Sequence, residues 1–296
     1  MDRLRSTESL SLQSAAADDL RRALRRDIPM QSVSDAILRF LKNPPQEYLE
    51  LDAAEVLGRG REISAIWEFL TLRGMAIKGS DKIAKPSSES VLSLLVSRRL
   101  CGSRLTVFIP WGYRYKAARQ EILADDPEAE VLSEIREVVA CLGKNGYSVR
   151  LVMMPADYYA IGINGANPDA VYRYYASLSR AVISAGLAAE IMPWSEIKQR
   201  AMGSEYRIVP AEMPGGMVSR AEKRAEILST AGDDRNAKER GIAYLSERRL
   251  EADVVISKYG DPLKISLAEK GDDVCDGNLK RVYVIRNTKP WMGAMR

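Results

Sequence analysis

The side chains best suited to chemistry lie in two tyrosine-rich segments. The first segment, PWGYRYK, follows the apolar run RLTVFI and contains Trp111, Tyr113, Arg114 and Lys116. Arg114 offers a planar fork of donors and Lys116 a mobile point charge, and both suit an anionic group such as a carboxylate or phosphate. We therefore predict that these four residues bind a substrate.

The second segment, PADYYAIGING, follows the apolar run VRLVMM and contains Asp157, Tyr158 and Tyr159. The neighbouring tyrosines would partly desolvate the Asp157 carboxylate, which suits a general base, and we assign Tyr158 and Tyr159 to substrate binding. The alternatives are that Asp157 caps a turn after Pro155 and that the tyrosines pack under neighbouring loops.

The sequence contains no histidine. Ser-His-Asp and Cys-His centres are excluded, and proton transfer near neutral pH falls to Asp, Glu, Lys, Tyr, Cys or water. Tyr244 and Glu247 lie one helical turn apart and form a second candidate pair for proton transfer. The three cysteines have no metal-ligand spacing, so only an all-oxygen metal site is compatible with this composition.

The elements that must position these residues alternate from about residue 86 onward. Apolar runs at 105–110, 149–154 and 188–192 are separated by segments with helical periodicity, a pattern that predicts a parallel, Rossmann-like α/β sheet. Both tyrosine-rich segments then lie beyond the carboxyl ends of neighbouring strands, where open parallel sheets bind ligands. A helix through Leu250 and the strands LKISLA and RVYVIR complete the pattern.

Two domains are expected: a helical N-terminal extension over 1–85 and a Rossmann-like catalytic domain over 86–296. The net charge of +4 identifies no partner by itself. Reduced cysteines and the lack of a long apolar span favour a cytoplasmic protein without membrane association. The sequence leaves the oligomeric state undetermined.

Along the chain, the segments in order are the aromatic-basic stretch after the first strand, VRLVMMPADYYAIGINGANPDAVYRYY, the late helix with Tyr244, LKISL and a Pro-Trp tail. The order of these segments resembles the isocyanide (isonitrile) synthase family. The resemblance covers roughly 90–200 and 237–293. It implies an enzyme of specialised metabolism, without metal, nucleotide or other cofactor, that joins an amino-acid amine to the ketone of ribulose 5-phosphate. The sugar then fragments and leaves one carbon as the isocyanide.

Residue by residue, the resemblance places the family's basic residue after the first strand at Arg114 or Lys116. It places the acidic residue after the second strand at Asp157, and the basic residue of the late strand at Lys264, a substrate-binding residue. Two family histidines are replaced here by Ala268 and Met292. The resemblance therefore implies the fold more directly than the reaction.

Two other functions stay open. The tRNA-dependent cyclodipeptide synthases share a Rossmann-like core, and tRNA would then be a partner, bound by the basic helices at 20–26 and 220–224. Those enzymes use a serine after the first strand and a Tyr-x-x-x-Glu helix, whereas this chain has PWGYRYK and Tyr244-x-x-Glu247. The third alternative is a small-molecule binding protein that kept the fold and lost the chemistry.

Overall fold

Within the residues that the structure describes, five parallel strands form one sheet. The computed structural model describes residues 17–48, 51–72, 88–113, 123–124, 126–163, 165–203, 237–266 and 279–283. Within them the strands are β1 (Leu105–Trp111), β2 (Val149–Pro155), β3 (Ala189–Ile191), β4 (Leu263–Ser266) and β5 (Lys280–Tyr283). The strand order is β3-β2-β1-β4-β5, with every neighbouring pair parallel. The predicted Rossmann-like sheet is confirmed.

Helices pack on both faces of this sheet. They are α1 (17–27), α2 (Gln31–Lys42), α3 (Ala53–Leu72), α4 (Ser88–Leu100), α5 (Asp126–Lys144), α6 (Pro168–Ser184), α7 (Trp194–Met202) and α8 (Ala237–Tyr259), with a π-helical turn at Tyr159–Ile163. Among these described helices, none combines the length and the apolar character that crossing a membrane requires.

Alternation along the strands divides the apolar core into two layers. Val107 and Leu151 face the layer formed by α1–α6, whereas Phe108 and Val152 face the layer formed by α7 and α8. Successive side chains of a strand point to opposite faces, and residues paired in register point to the same face. Lys264, which pairs with Phe108, therefore faces α7 and α8.

Local sequence explains several helix ends. Asp52 and Glu55 each accept the other's backbone N–H at the start of α3, which forms a capping box. The Asn167 side chain accepts a hydrogen bond from the first turn of α6. Gly146 and Gly186 follow α5 and α6 with φ of 77° and 69°, the left-handed conformation expected where a helix ends at glycine.

The N-terminal helices share a hydrophobic cluster with the sheet. Leu24, Ile37 and Ile63 belong to the same cluster of buried residues as Val107. Helices α2 and α3 reach the sheet through α4, against which both pack. The division of the chain at residue 85 stays a prediction.

The sequence pattern placed the end of α8 too early. The helix was predicted through Leu250 but continues to Tyr259. Ala252, Val255 and Tyr259 continue the helical spacing of apolar residues, and all three are buried against the sheet. The helix ends where Gly260 adopts a φ of 60°.

Candidate active site at the switch in strand order

The strand order changes direction between β1 and β4. From β1 the chain builds outward through β2 to β3, and it then returns to place β4 and β5 on the other side of β1. Crossover connections diverge at such a switch point, and the crevice beyond the carboxyl ends of the strands is where open parallel sheets bind ligands. Lys264 of β4 lies at this boundary, beside Phe108 of β1.

Six of the polar side chains that the described residues bury on the α7–α8 face of the sheet form what we call the buried polar cluster. They come from the π-helical turn, α7, α8 and β4, and each residue is less than 9% exposed. The members are Tyr159, Lys198, Glu247, Arg248, Glu251 and Lys264. Five of the six carry a formal charge, and they lie on α7, α8 and β4, which are separated in the sequence and meet in the folded chain.

Glu251 is the centre of one half of the cluster. Its Oε2 accepts a hydrogen bond from the Tyr159 hydroxyl at 2.8 Å. Its Oε1 lies 2.7 Å from a guanidinium nitrogen of Arg248 and 3.6 Å from Nζ of Lys264. Glu251 and Lys264 are both completely buried. One carboxylate thus contacts a phenol, a guanidinium and an amine away from water.

Glu247 is the centre of the other half. Its carboxylate accepts hydrogen bonds from Nζ of Lys198 at 2.8 and 2.7 Å and from the Trp194 indole N–H at 2.5 Å. The Lys198 ammonium also lies 4.3 Å from the centre of the Tyr158 ring. These contacts join α7 to α8 directly beside the second tyrosine-rich segment.

Burial perturbs the acid-base chemistry of Tyr159. The side chain is 5% exposed, and burial together with the negative charge of Glu251 raises the pKa of its hydroxyl well above the ordinary value. Tyr159 therefore stays protonated near neutral pH and acts as a donor. Its ring makes an edge contact with Tyr244 at 5.3 Å, and Tyr244 is only partly buried, so the tyrosines extend from the cluster toward solvent.

Asp157 caps a helix, which is close to the alternative in which it caps a turn after Pro155. Its carboxylate is 3% exposed and accepts a hydrogen bond from the backbone N–H of Ser195 at 3.1 Å. The second carboxylate oxygen accepts from the Ser195 hydroxyl. Asp157 thus caps the first turn of α7 instead of a local turn, and this contact fixes α7 beside the end of β2.

Trp111 and Tyr113 of the first tyrosine-rich segment face the opposite layer. Trp111 is 1% exposed, and its indole N–H donates to the Tyr174 hydroxyl at 2.9 Å, which donates to buried Glu128 at 3.0 Å. Tyr113 packs its ring against Tyr174 at 5.4 Å. Trp111 and Tyr113 therefore lie at the same end of the sheet as Tyr159, but in the α6 layer.

The structure thus brings together six predicted site residues around α7 and α8. They are Asp157, Tyr158, Tyr159, Tyr244, Glu247 and Lys264. Arg114 and Lys116 lie outside the described residues, as do Ala268 and Met292. The role of each side chain in binding or catalysis stays a prediction.

Sequence reasoning missed Lys198, Arg248 and Glu251. One signal was present, because Tyr244, Glu247, Arg248 and Glu251 follow the i, i+3, i+4, i+7 spacing that normally marks the apolar face of a helix. Polar residues at those positions on a helix that must pack on a sheet indicate a buried polar face. Lys198 gave no comparable signal.

A cavity of about 310 Å³ lies at the other end of the sheet. Ser97 and Arg98 of α4 line it together with Asp261 and Lys280. Both cations are engaged, since Arg98 donates to the Gly260 carbonyl at 2.5 Å and Lys280 pairs with Asp261. Its lining includes no member of the buried polar cluster and none of the predicted site residues.

Among the described residues, no group of three or more Cys, Asp or Glu side chains is placed to hold a metal ion. Comparisons of the chain with protein-family models, with curated proteins and with solved structures gave no match. The function must therefore be argued from the chemistry of the site.

Proposed function

We propose that the chain is an isocyanide-synthase-like enzyme that joins an amino-acid amine to the ketone of a pentose phosphate such as ribulose 5-phosphate. The observation that carries the proposal is the buried contact of Tyr159, Glu251 and Lys264 at the switch in strand order. Joining an amine to a ketone requires protons to leave nitrogen and reach oxygen. A phenol, a carboxylate and an amine supply such groups without histidine.

The energetics of burial support a functional reading of this cluster. Replacing a buried ion pair by well-packed apolar residues is often neutral or stabilising, so stability alone does not explain why such a pair is present. Buried charged partners at a ligand-binding end of a fold are candidates for a functional site. Glu251 and Lys264 are completely buried, are in contact and lie beside the switch in strand order.

We assign proton transfer to Glu251 instead of Asp157. That carboxylate already accepts two hydrogen bonds from Ser195 and stabilises the start of α7. Glu251 instead contacts both a proton donor, Tyr159, and an amine, Lys264. Lys264 is also the residue to which the resemblance assigns the basic group of the late strand.

The tRNA-dependent alternative has less support on the described surface. Arg21, Arg22 and Arg26 of α1 each contact a carboxylate of the same helix, at 3.0, 2.6 and 2.7 Å. These pairs partly neutralise the basic face that would contact phosphates. The second basic helix, at 220–224, lies outside the described residues.

The test is a reaction with ribulose 5-phosphate and the common L-amino acids, followed by a tetrazine that reacts with isocyanides and by mass spectrometry. The proposal predicts a tetrazine adduct that requires both substrates and is lost in Glu251→Gln. Glu196→Gln, at an exposed position of α7, is the control for an altered carboxylate. Turnover only with aminoacyl-tRNA would establish the tRNA-dependent function. Binding of a small molecule without turnover would establish the binding protein.

A further inference from the structure

Lys264 combines three properties of a reactive lysine. It is completely buried, it stands at the switch in strand order, and its Nζ lies 3.6 Å from Glu251. Buried lysines beside a base serve as nucleophiles that form imines with carbonyl substrates, because the neighbouring base takes the proton that the ammonium must lose. An exposed lysine such as Lys258 on α8 lacks these surroundings.

The groups that imine formation needs are already in contact. The amine must lose a proton before it attacks, and Glu251 is the adjacent acceptor. The carbonyl oxygen must gain protons to leave as water. The Tyr159 hydroxyl, which donates to the second carboxylate oxygen of Glu251, is the adjacent proton donor. Protons can therefore pass between nitrogen and oxygen through one carboxylate.

We propose that Lys264 forms a covalent imine with the ketone of the substrate, an inference that rests on the proposed function of this site. The Nζ lone pair forms a bond to the carbonyl carbon, and the oxygen receives a proton to give a carbinolamine. Loss of water then breaks the carbon–oxygen bond and forms the carbon–nitrogen double bond. The net change is a ketone and an amine converted to an imine and water, with no oxidant or reductant.

This imine also accounts for the next step of the proposed reaction. The amino-acid amine attacks the imine carbon and displaces Nζ of Lys264, so that one imine replaces another and the lysine is regenerated. A protonated imine is a better electrophile than the ketone, so the covalent step activates the sugar for the second amine. Glu251 returns the proton that Lys264 needs to leave.

We expect a substrate to approach Lys264 from the side on which the tyrosines lie. Tyr159 is buried and contacts Glu251, whereas Tyr244 and Tyr158 are only partly buried. The Tyr159 ring contacts the ring of Tyr244, which is closer to the surface of the described part of the chain. A ketone reaching Lys264 from this side would pass the proton donor first.

The first experiment traps the imine in the wild-type chain. The protein is incubated with ribulose 5-phosphate and borohydride, digested and mapped by mass spectrometry. The inference predicts a reduced pentose phosphate adduct on the peptide containing Lys264 and none on that containing Lys258. Glu251→Gln should lower the yield about a hundredfold, the lower range for general acid-base catalysis. Isocyanide formation with no adduct at Lys264 would overturn the inference and leave the proposed function standing.

The second experiment does not depend on the identity of the sugar. A small 1,3-diketone forms a stable, ultraviolet-absorbing enaminone with reactive lysines, and it is added to the wild-type chain at neutral pH. Labelling confined to Lys264 would support a nucleophilic lysine. If ribulose 5-phosphate then failed to react, that failure would count against the proposed function and leave the inference about Lys264 standing. Labelling of Lys258 as fast as Lys264, or no labelling of Lys264, would overturn the inference.

Discussion

The pair of Lys198 and Glu247 allows a quantitative test of the site geometry. Both side chains are buried, and Glu247 accepts two hydrogen bonds from Lys198 and one from Trp194. Glu247→Met leaves an ammonium and an indole N–H buried without their acceptor. Removing one partner of a buried ion pair costs about 3–5 kcal/mol. We expect Lys198→Met to cost a similar amount because it strands the carboxylate.

The double variant should be far less destabilised than the sum of the single variants. Replacing both charges with methionine removes the uncompensated ion and leaves mainly the Trp194 N–H without its acceptor, a cost of about 1–3 kcal/mol. A double-mutant cycle should therefore give a coupling energy of several kcal/mol. The free energy of unfolding of an ordinary domain is about 5–15 kcal/mol, so the loss expected in each single variant can be measured.

Urea unfolding at 25 °C measures each free energy of unfolding. The matched control is Glu196→Gln, because the Glu196–Arg200 pair also lies on α7 but is exposed. We expect this control to cost about 0.3–0.5 kcal/mol. Single variants within about 1 kcal/mol of wild type, with additive effects in the double variant, would show that Lys198 and Glu247 do not form a desolvated pair.

Three further predictions address a helix cap, a buried tyrosine and a helix end. Asp157→Ala removes the acceptor of Ser195 and should cost about 1–2 kcal/mol of stability with little loss of turnover; a hundredfold loss of turnover in the folded variant would restore Asp157 as a general base. Burial raises the pKa of Tyr259 to about 12, above the ordinary value of about 10. The folded state keeps this proton where the unfolded state releases it, so the stability it contributes is present below about pH 10 and is lost as the pH rises through about 12. Tyr259→Phe should therefore flatten the fall in melting temperature across that range, and an unchanged slope would contradict the assignment. Gly146→Ala forces a Cβ to within 2.5 Å of a guanidinium nitrogen at a φ of 77°, and thermal unfolding should show a loss of about 1–2 kcal/mol or more. Gly143→Ala, where the added Cβ meets nothing within 4 Å, should not destabilise the chain.

The sheet could be predicted because its signals are local. The runs at 105–110 and 149–154 are apolar except at Thr106 and Arg150, as expected of strands covered on both faces, and a glycine follows the helix between them. Alternation along β1 also contained information that the prediction did not use. Trp111 shares its parity with Val107 and Ile109, so it faces the α6 layer.

The site could be predicted only in part, because its contacts join distant segments. The spacing of Tyr244 and Glu247 placed both on one face of α8, but no local pattern indicates which element covers that face. Glu247 contacts Lys198, and Tyr159 contacts Glu251, across 49 and 92 residues of sequence. These partners are chosen by the packing of α7 and α8 on the sheet. Only the folded structure shows that packing.

The central claim is that an amino-acid nitrogen is joined to the ketone carbon of a pentose phosphate at this site. The most direct measurement uses ribulose 5-phosphate labelled with ¹³C at the ketone carbon, an L-amino acid labelled with ¹⁵N, and the purified wild-type chain. We predict a product whose isocyanide carbon carries the ¹³C label and is coupled to ¹⁵N in the NMR spectrum. Recovery of both labelled compounds unchanged, under conditions in which each is shown to bind, would contradict the claim.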